Sequence, residues 1–388
     1  MKINFFKSII FILGIFILAV LYFSTIGIET KKFNQQIVDK FLKNNENLNV
    51  DLKKVKLTLD PIKFHIKAKT VGATVFYLNR PLELDYIQTN VSLVSIFKNK
   101  FVSSSFKIVT KSILLKDILK LTRSITFRPE FLILETIIQD GYIILDLNIN
   151  LDQNGKIKND YEVKGLLKKG KVKFLKNIDF EKISLLFSLK EKEYLFRDIN
   201  FSSDTVDFKS DLLKIFKIDN MYLFEGELEN SKSVVPKNFV KLLNLNFKKI
   251  DIENTKFSSK NNFEFQIDRK FKLQNLKFET QINFNQVRIK DINNISNYFP
   301  EIKKNLLLKN HDLRLKYEKN MLSGKGKGNI KIGNNTDQIV YLISKKKDNF
   351  EFETDVKIKK ITLKNQNIIK NNFPLTKDLI DLKDHKLN

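Results

Sequence analysis

The 388-residue chain contains no cysteine, which removes disulfides, thiolate metal ligands and a thiol nucleophile together. It has no tryptophan and ten tyrosines against 34 phenylalanines, so most of its aromatic surface carries no polar handle. Rings of that kind line dry places, either an ordinary core or a surface that meets acyl chains. The six prolines rarely fall inside alternating runs, as sheets require. Of the three histidines, His65 sits on the polar face of a strand and His311 and His385 occupy equivalent positions 74 residues apart, so three or four converging ligands are not offered and no metal is expected. Catalytic signatures are also missing: there is no Gly-x-Ser-x-Gly elbow, no Ser/His/Asp set in plausible context and no close carboxylate pair outside alternating segments. Asp146, Glu225 and Glu227 alternate with apolar residues and read as solvated strand positions. Neither an enzyme nor a cofactor is expected.

What is present begins with an uncharged run from Ser8 to Ile28, preceded by Lys2 and Lys7. As a helix at about 1.5 Å per residue it spans roughly 31 Å, the thickness of a bilayer's hydrocarbon core. The run is longer than a usual signal-peptide core, and no small-x-small cleavage site lies near Ala19, Ser24 or Gly27, which favours a retained transmembrane anchor over a cleaved signal. Lysines flank both ends, but a short lysine-bearing tail is an ordinary cytoplasmic start, which places the bulk of the chain in a periplasm-like space. The net charge of +25 first raises nucleic acid as a partner. However, the lysines are spread along alternate strand positions, as at Lys63, Lys67 and Lys69, without clustering into a groove. No nucleic-acid partner is therefore expected, only a basic face attracted to anionic headgroups.

Behind the anchor, Phe33, Ile37, Val38, Phe41 and Leu42 recur at helical spacing and predict an amphipathic helix at the membrane edge. From Val50 the period becomes two. Val55, Leu57 and Leu59 alternate with polar residues, and after Pro61 so do Ile62, Phe64, Ile66 and Ala68. Ile143, Leu145, Leu147, Ile149 and Leu151 form another such run, as do Ile183, Leu185, Phe187 and Leu189, then Leu243, Leu245 and Phe247, then Phe263, Phe265 and Ile267. Helices are expected only near Ile113 to Arg123, Pro236 to Leu242 and Ile292 to Asn297. Gly324-Lys325-Gly326-Lys327-Gly328 looks like a phosphate loop but leads into alternating Ile330 and Ile332 instead of a helix, so it reads as the flexible start of a strand.

A repeat stands out at an offset of 74 residues. Phe278-Glu279-Thr280 returns as Phe352-Glu353-Thr354, Phe299-Pro300 as Phe373-Pro374, and Leu308-Lys309, His311 and Leu313 as Leu382-Lys383, His385 and Leu387. Apolar positions between them match by class: Ile282 with Val356, Phe284 with Ile358, Val287 with Ile361, Ile289 with Leu363. The second copy stops at Asn388 where the first continues, so either a partner completes the open edge or the sequence is a truncated form of a longer protein, the reading preferred here.

The segment Leu82-Glu83-Leu84-Asp85 through Val91-Ser92-Leu93-Val94-Ser95-Ile96-Phe97-Lys98-Asn99-Lys100, leading to Phe101, resembles the early part of AsmA-like proteins. The stretch Asn154-Gly155-Lys156-Ile157 to Gly165 is similar to that family's recurrent strand pairs. The resemblance implies a signal anchor in a Gram-negative inner membrane, a long sheet curled into a groove and a role in moving phospholipid toward the outer membrane. The expected fold is mainly β: an N-terminal transmembrane helix, then a long curled antiparallel sheet of repeated units with a few short helices. About 12 residues per strand gives roughly 28 strands and, at about 4.8 Å each, a sheet more than about 100 Å wide. The expected divisions are 1–28 anchor, 29–49 amphipathic helix, 50–277 N-terminal groove region, 278–351 repeat unit and 352–388 an incomplete second unit. The expected groove lining is Leu57, Leu59, Phe64, Ile66, Ile143, Leu145, Leu147, Ile149, Leu185, Phe187, Phe263, Phe265, Ile282 and Phe284. The expected partners are phospholipid acyl chains, the inner membrane and envelope proteins at the distal end. The alternative is a membrane-tethered sandwich acting as scaffold or outer-membrane assembly factor, since period two serves a closed sandwich equally well.

Overall fold

The computed structural model describes residues 2–31, 34, 48–77, 80–93, 103–125, 129–150, 152, 158, 160–175, 178–236, 250–251, 255–270, 272–290, 305–332, 334–346, 349–364 and 379–387. Strands dominate these residues, and every pairing described below is antiparallel. Contacts divide the chain into two units, residues 1–171 with 184–194 and residues 172–183 with 195–388.

The first unit opens with helix α1 (Lys2–Thr25), whose side chains are described from Ile10 onward. Among the described residues no helix is long and apolar enough to cross a membrane. What is described of α1 is apolar and bare: Phe11 is 70% exposed, Phe16 64% and Leu18 67%. The helix ends at Gly27, where φ is +68° and Tyr22 O accepts from both Ile26 N and Gly27 N, a left-handed cap that suits glycine. The chain passes directly into β1 (Ile28–Thr30).

The remaining elements of this unit are β2 (Leu48–Asp51), β3 (Lys54–Asp60), β4 (His65–Val71), β5 (Thr74–Tyr77), β6 (Arg80–Ser92), β7 (Ser103–Thr110), β8 (Ile113–Leu114), α2 (Leu115–Ile125), α3 (Pro129–Ile137) and β9 (Ile138–Asn150). β1 pairs with β3, β3 with β4, β4 with β6, β6 with β7 and β7 with β9; β2, β5 and β6 form a second ladder. Val50, Leu52, Ala73, Leu84 and Ile87 make the core, with Val75, Phe106 and Ile108 against them. Two buried threonines serve backbone donors left over by the ladder: Thr70 Oγ1 accepts from Ile87 N at 2.8 Å, and Thr110 Oγ1 from Leu145 N at 2.9 Å. Helix α2, predicted from Ile113 to Arg123, starts two residues later because Ile113 and Leu114 pair with Ile143 and Tyr142 of β9. Its Leu119 is buried, and both α2 and α3 pack on β9.

The strands β10 (Glu162–Leu175), β11 (Ile178–Leu189) and β12 (Glu193–Ser203) each contribute residues to both units. The second unit continues with β13 (Val206–Ile218), β14 (Met221–Val234), β15 (Ile250–Asp251), β16 (Lys256–Asp268), β17 (Leu273–Lys290), β18 (Asn305–Glu318), β19 (Met321–Ile332), β20 (Asn335–Lys346), β21 (Asn349–Lys364) and β22 (Leu379–Leu387). Twenty-two strands are thus described, fewer than the roughly 28 expected at about 12 residues each. Tight reversals join several of them. Asp219 opens the β13–β14 turn with φ +50°, and Lys319 and Asn320 take +50° and +61° between β18 and β19, the left-handed pair that matches strand twist in a two-residue hairpin.

The 74-residue repeat survives as pairing register. Ile282 faces Leu313, Phe284 faces His311 and Val287 faces Leu308 in β17–β18; 74 residues on, Val356 faces Leu387, Ile358 faces His385 and Ile361 faces Leu382 in β21–β22. The Phe299-Pro300 and Phe373-Pro374 matches lie outside the described residues. So do the predicted helices at residues 237–242 and 292–297, the strand at Leu243 to Phe247, and most of the amphipathic helix from Phe33 to Leu42.

The glycines of Gly324 to Gly328 are not the flexible start of a strand, as the sequence predicted, but lie in the middle of β19. A Cβ at Gly326 would clash with the Tyr341 ring, and one at Gly328 with the His311 ring. Their absent side chains are the space into which neighbouring rings lie flat. Gly326→Val is therefore expected to lower unfolding stability by about 1–3 kcal/mol in urea titration, while Lys325→Ala on the opposite face changes it by no more than about 0.5 kcal/mol.

Candidate functional site

Period two sends one side of each strand to a common face, and in the second unit that face is continuous. Row by row, Gly226 lies beside Phe263, Phe263 beside Phe278, Phe278 beside Tyr317 and Tyr317 beside Leu322, crossing β14, β16, β17, β18 and β19. A second row runs through Ile282, Leu313, Gly326 and Tyr341. Phe224 stacks on Phe265 with centroids 4.8 Å apart, and Phe263 and Phe265 lie 5.8 Å apart. Of the predicted lining, Phe263, Phe265, Ile282 and Phe284 therefore share one face, and all four are half-buried. Few apolar residues of this unit are fully buried; they include Val206, Ile330, Ile339 and Tyr341. No helix is described in this unit.

The opposite face is wet and ionic. Lys277 Nζ lies 2.7 Å from Glu264 Oε1, which hydrogen-bonds it and raises the ammonium's pKa. At this exposed site the pair contributes solubility more than stability.

The apolar face carries a polar seam that the sequence reading missed. Thr280 Oγ1 donates to Asn261 Oδ1 at 2.6 Å, Asn261 Nδ2 donates to Ser259 Oγ at 2.9 Å and Ser259 Oγ to Asn230 Oδ1 at 2.6 Å. Thr280 and Asn230 are buried, and the seam runs between the Phe263–Phe278 row and the Phe257–Phe284 row. Its members hydrogen-bond one another across strands, which is how a polar group is held in an apolar setting. Asn, Ser and Thr at alternate positions look like a wet face in sequence; only the cross-strand register shows that they point inward.

At one end of this face sits His311, 2% exposed. Its ring stacks on Phe284 at 5.0 Å with 6° between planes, and Tyr341 lies 5.8 Å away. Asn329 O accepts from Nε2 at 3.0 Å and Tyr341 OH donates to Nδ1 at 3.4 Å, an assignment that suits the neutral ring. Burial pushes its pKa below the ordinary 6.5, opposed by the bond to the Asn329 carbonyl. This is a packed core histidine. Among the described residues no group of His, Asp or Glu is placed to hold a metal ion.

In the first unit, Leu57, Leu59, Ile66, Leu145, Leu147 and Ile149 are half-buried strand residues, as are Leu185 and Phe187 of β11. Ile143 is buried at 7% and pairs with Ile113 of β8, so it is more enclosed than the other predicted lining residues of this unit. Phe64 is a correction. It stands in the turn after β3 with φ +52° and is 66% exposed, and β4 starts only at His65. The alternation of Ile62, Phe64 and Ile66 continues through a turn whose first two residues are also held off the sheet. An open cleft of about 260 Å³ lined by Ser112, Tyr142, Ile144, Leu166, Lys168 and Lys169 lies on the other side of β9 and carries no catalytic grouping.

No family model, curated protein or solved structure matches the chain. The AsmA-like resemblance thus rests on the residues quoted for it. Of these, Val94 to Phe101 and Asn154 to Ile157 lie outside the described residues, while Leu82 and Leu84 are buried in β6.

The histidine gives a pH test. Its folded pKa lies below the unfolded value, so the unfolded chain takes the proton first as pH falls; the stability from neutral His311 is present above about pH 6.5 and lost below it. The urea midpoint is expected to fall between about pH 7.5 and about pH 5.5. His311→Gln should remove that component of the fall while leaving the remaining pH dependence.

Proposed function

We propose that this is a membrane-anchored envelope protein whose apolar sheet face carries phospholipid acyl chains between the inner and outer membranes. One observation carries this reading: a continuous half-buried row of Gly226, Phe263, Phe278, Tyr317 and Leu322 across β14, β16, β17, β18 and β19, for which no helix is described in the same unit. Such a face is stable in water only if something apolar lies along it. An acyl chain suits the geometry, because strands about 4.8 Å apart present rings in parallel rows against which methylenes pack. Each buried methylene contributes about 0.8 kcal/mol, so covering about eight of them gives roughly 6 kcal/mol of association, enough to hold a lipid without trapping it. The Ser8 to Ile28 run is the anchor in the inner membrane, and the chain behind it is periplasmic. The bare apolar side chains of α1 support that placement, and the AsmA-like resemblance adds the direction of the role.

The test is photo-crosslinking of the full chain in native membranes. A benzophenone side chain at Phe265 or Leu315 is expected to yield phospholipid adducts by mass spectrometry, whereas one at Lys316, on the wet face, yields none. Protein adducts alone at Phe265 and Leu315 favour the sandwich or scaffold alternative.

A further inference from the structure

We propose that the β3–β4 turn, Pro61 to Phe64, is a membrane-inserting tip that docks the sheet onto the bilayer beside the anchor, its occupant being the anionic lipid surface into which Ile62 and Phe64 dip. The inference rests on the anchor reading above and adds a second, independent point of membrane contact.

Exposure comes first. Ile62 is 89% exposed and Phe64 66%, the two barest large apolar side chains beyond α1 and β1 among those described, and they sit two residues apart at one tip. The backbone forces them out. Phe64 is held at φ +52°, a left-handed conformation uncommon for a large side chain, and Phe64 O accepts from Leu93 N at 2.9 Å, tying the turn to the end of β6.

Topology then places the tip. β1 pairs with β3 so that Ile28 faces Leu57 and Thr30 faces Val55, which means that β1 runs away from the tip. The chain before Ile28 therefore arrives from the tip's side, and the end of α1 packs against β3 at Leu57 and Thr58, where a Cβ on Gly27 would clash with Leu57 O. From Leu57 to Asp60 is about 10 Å of strand, so along β3 the Pro61–Phe64 turn lies that far from where the chain leaves α1, on the order of the depth to which interfacial apolar groups bury.

Tyr22, in the last turns of α1 and edge-on to Phe23 at 5.7 Å, is the residue type that suits a membrane–water interface. The hydroxyls there are satisfied within the helix, Ser24 Oγ donating to Val20 O and Thr25 Oγ1 to Leu21 O, both at 2.7 Å. Charge at the tip suits an anionic surface. Lys63 is exposed between the two apolar residues, and the nearby carboxylate, Asp60, is neutralised by Lys67 at 3.0 Å and by accepting from Lys63 N at 3.1 Å, with its pKa lowered by those partners. Lys63 adds attraction to an anionic leaflet.

The chain has no tryptophan, so a single introduced one reports its own surroundings. In full-length protein reconstituted into vesicles of phosphatidylcholine with phosphatidylglycerol, Phe64→Trp is expected to emit at shorter wavelength than Leu342→Trp, an exposed position on β20 of the second unit. It should also be quenched by lipids brominated near the top of the acyl chain and protected from acrylamide. Emission matching Leu342→Trp, open to acrylamide and untouched by brominated lipid, overturns the proposal. Phe16→Trp, probed with lipids brominated near the end of the acyl chain because Phe16 lies close to the middle of the Ser8–Ile28 run, separates the two readings: quenched there while Phe64→Trp is not quenched, the tip proposal falls and the anchor stands; with neither quenched, both fall. Quenching at both positions supports the tip beside its anchor, whereas quenching at Phe64 alone overturns the proposal as stated, since no anchor then stands beside the tip. In the Phe64→Trp background, Ile62→Ser should raise access of the tryptophan to acrylamide in vesicles without changing the circular dichroism of the protein, which distinguishes lost docking from lost fold.

Discussion

An antiparallel ladder satisfies every backbone donor and acceptor of its inner strands but leaves two faces, and an apolar one must lie against something. In the first unit that demand is met by protein: α2 and α3 pack on β9, and Val50, Leu52, Ala73, Leu84 and Ile87 close a core. In the second unit the Phe- and Leu-bearing face is half-buried, and no helix is described with it. The proposed function follows from this difference, since an apolar face that protein leaves partly bare is one on which lipid can lie.

The face is built as much by small residues as by large ones. Gly226 lies beneath Phe263, Gly326 beneath Tyr341 and Gly328 beneath His311, so rings from neighbouring strands fold down onto bare backbone. This packs one aromatic layer closely without a second sheet. The seam from Asn230 to Thr280 does the complementary task, spending its polar groups on each other so that the surrounding rows stay dry. Lysines on the other face, such as Lys277 paired with Glu264, keep that side in water.

Much of this was legible in the sequence, and the physical reasons for the rest are specific. Alternation located the strands through Val55, Leu145, Phe187 and Phe263, because burial on one face imposes period two wherever a strand runs. The 74-residue repeat was legible because equal register requires equal spacing, and the pairs Phe284–His311 and Ile358–His385 repeat it in the ladder. Phe64 was misplaced because alternation cannot show a left-handed φ that breaks the strand while the pattern carries on. The glycines of β19 and the polar seam were hidden for one shared reason: their role depends on which residue faces them across the sheet, and a single chain read in order does not contain that.

Whether acyl chains cover the apolar face of the second unit is read most plainly by electron cryomicroscopy of the full chain extracted with its native lipids. Elongated acyl density lying along Phe224, Phe263 and Leu315 is expected. Polypeptide density packed on those residues, from this chain or another, would contradict it.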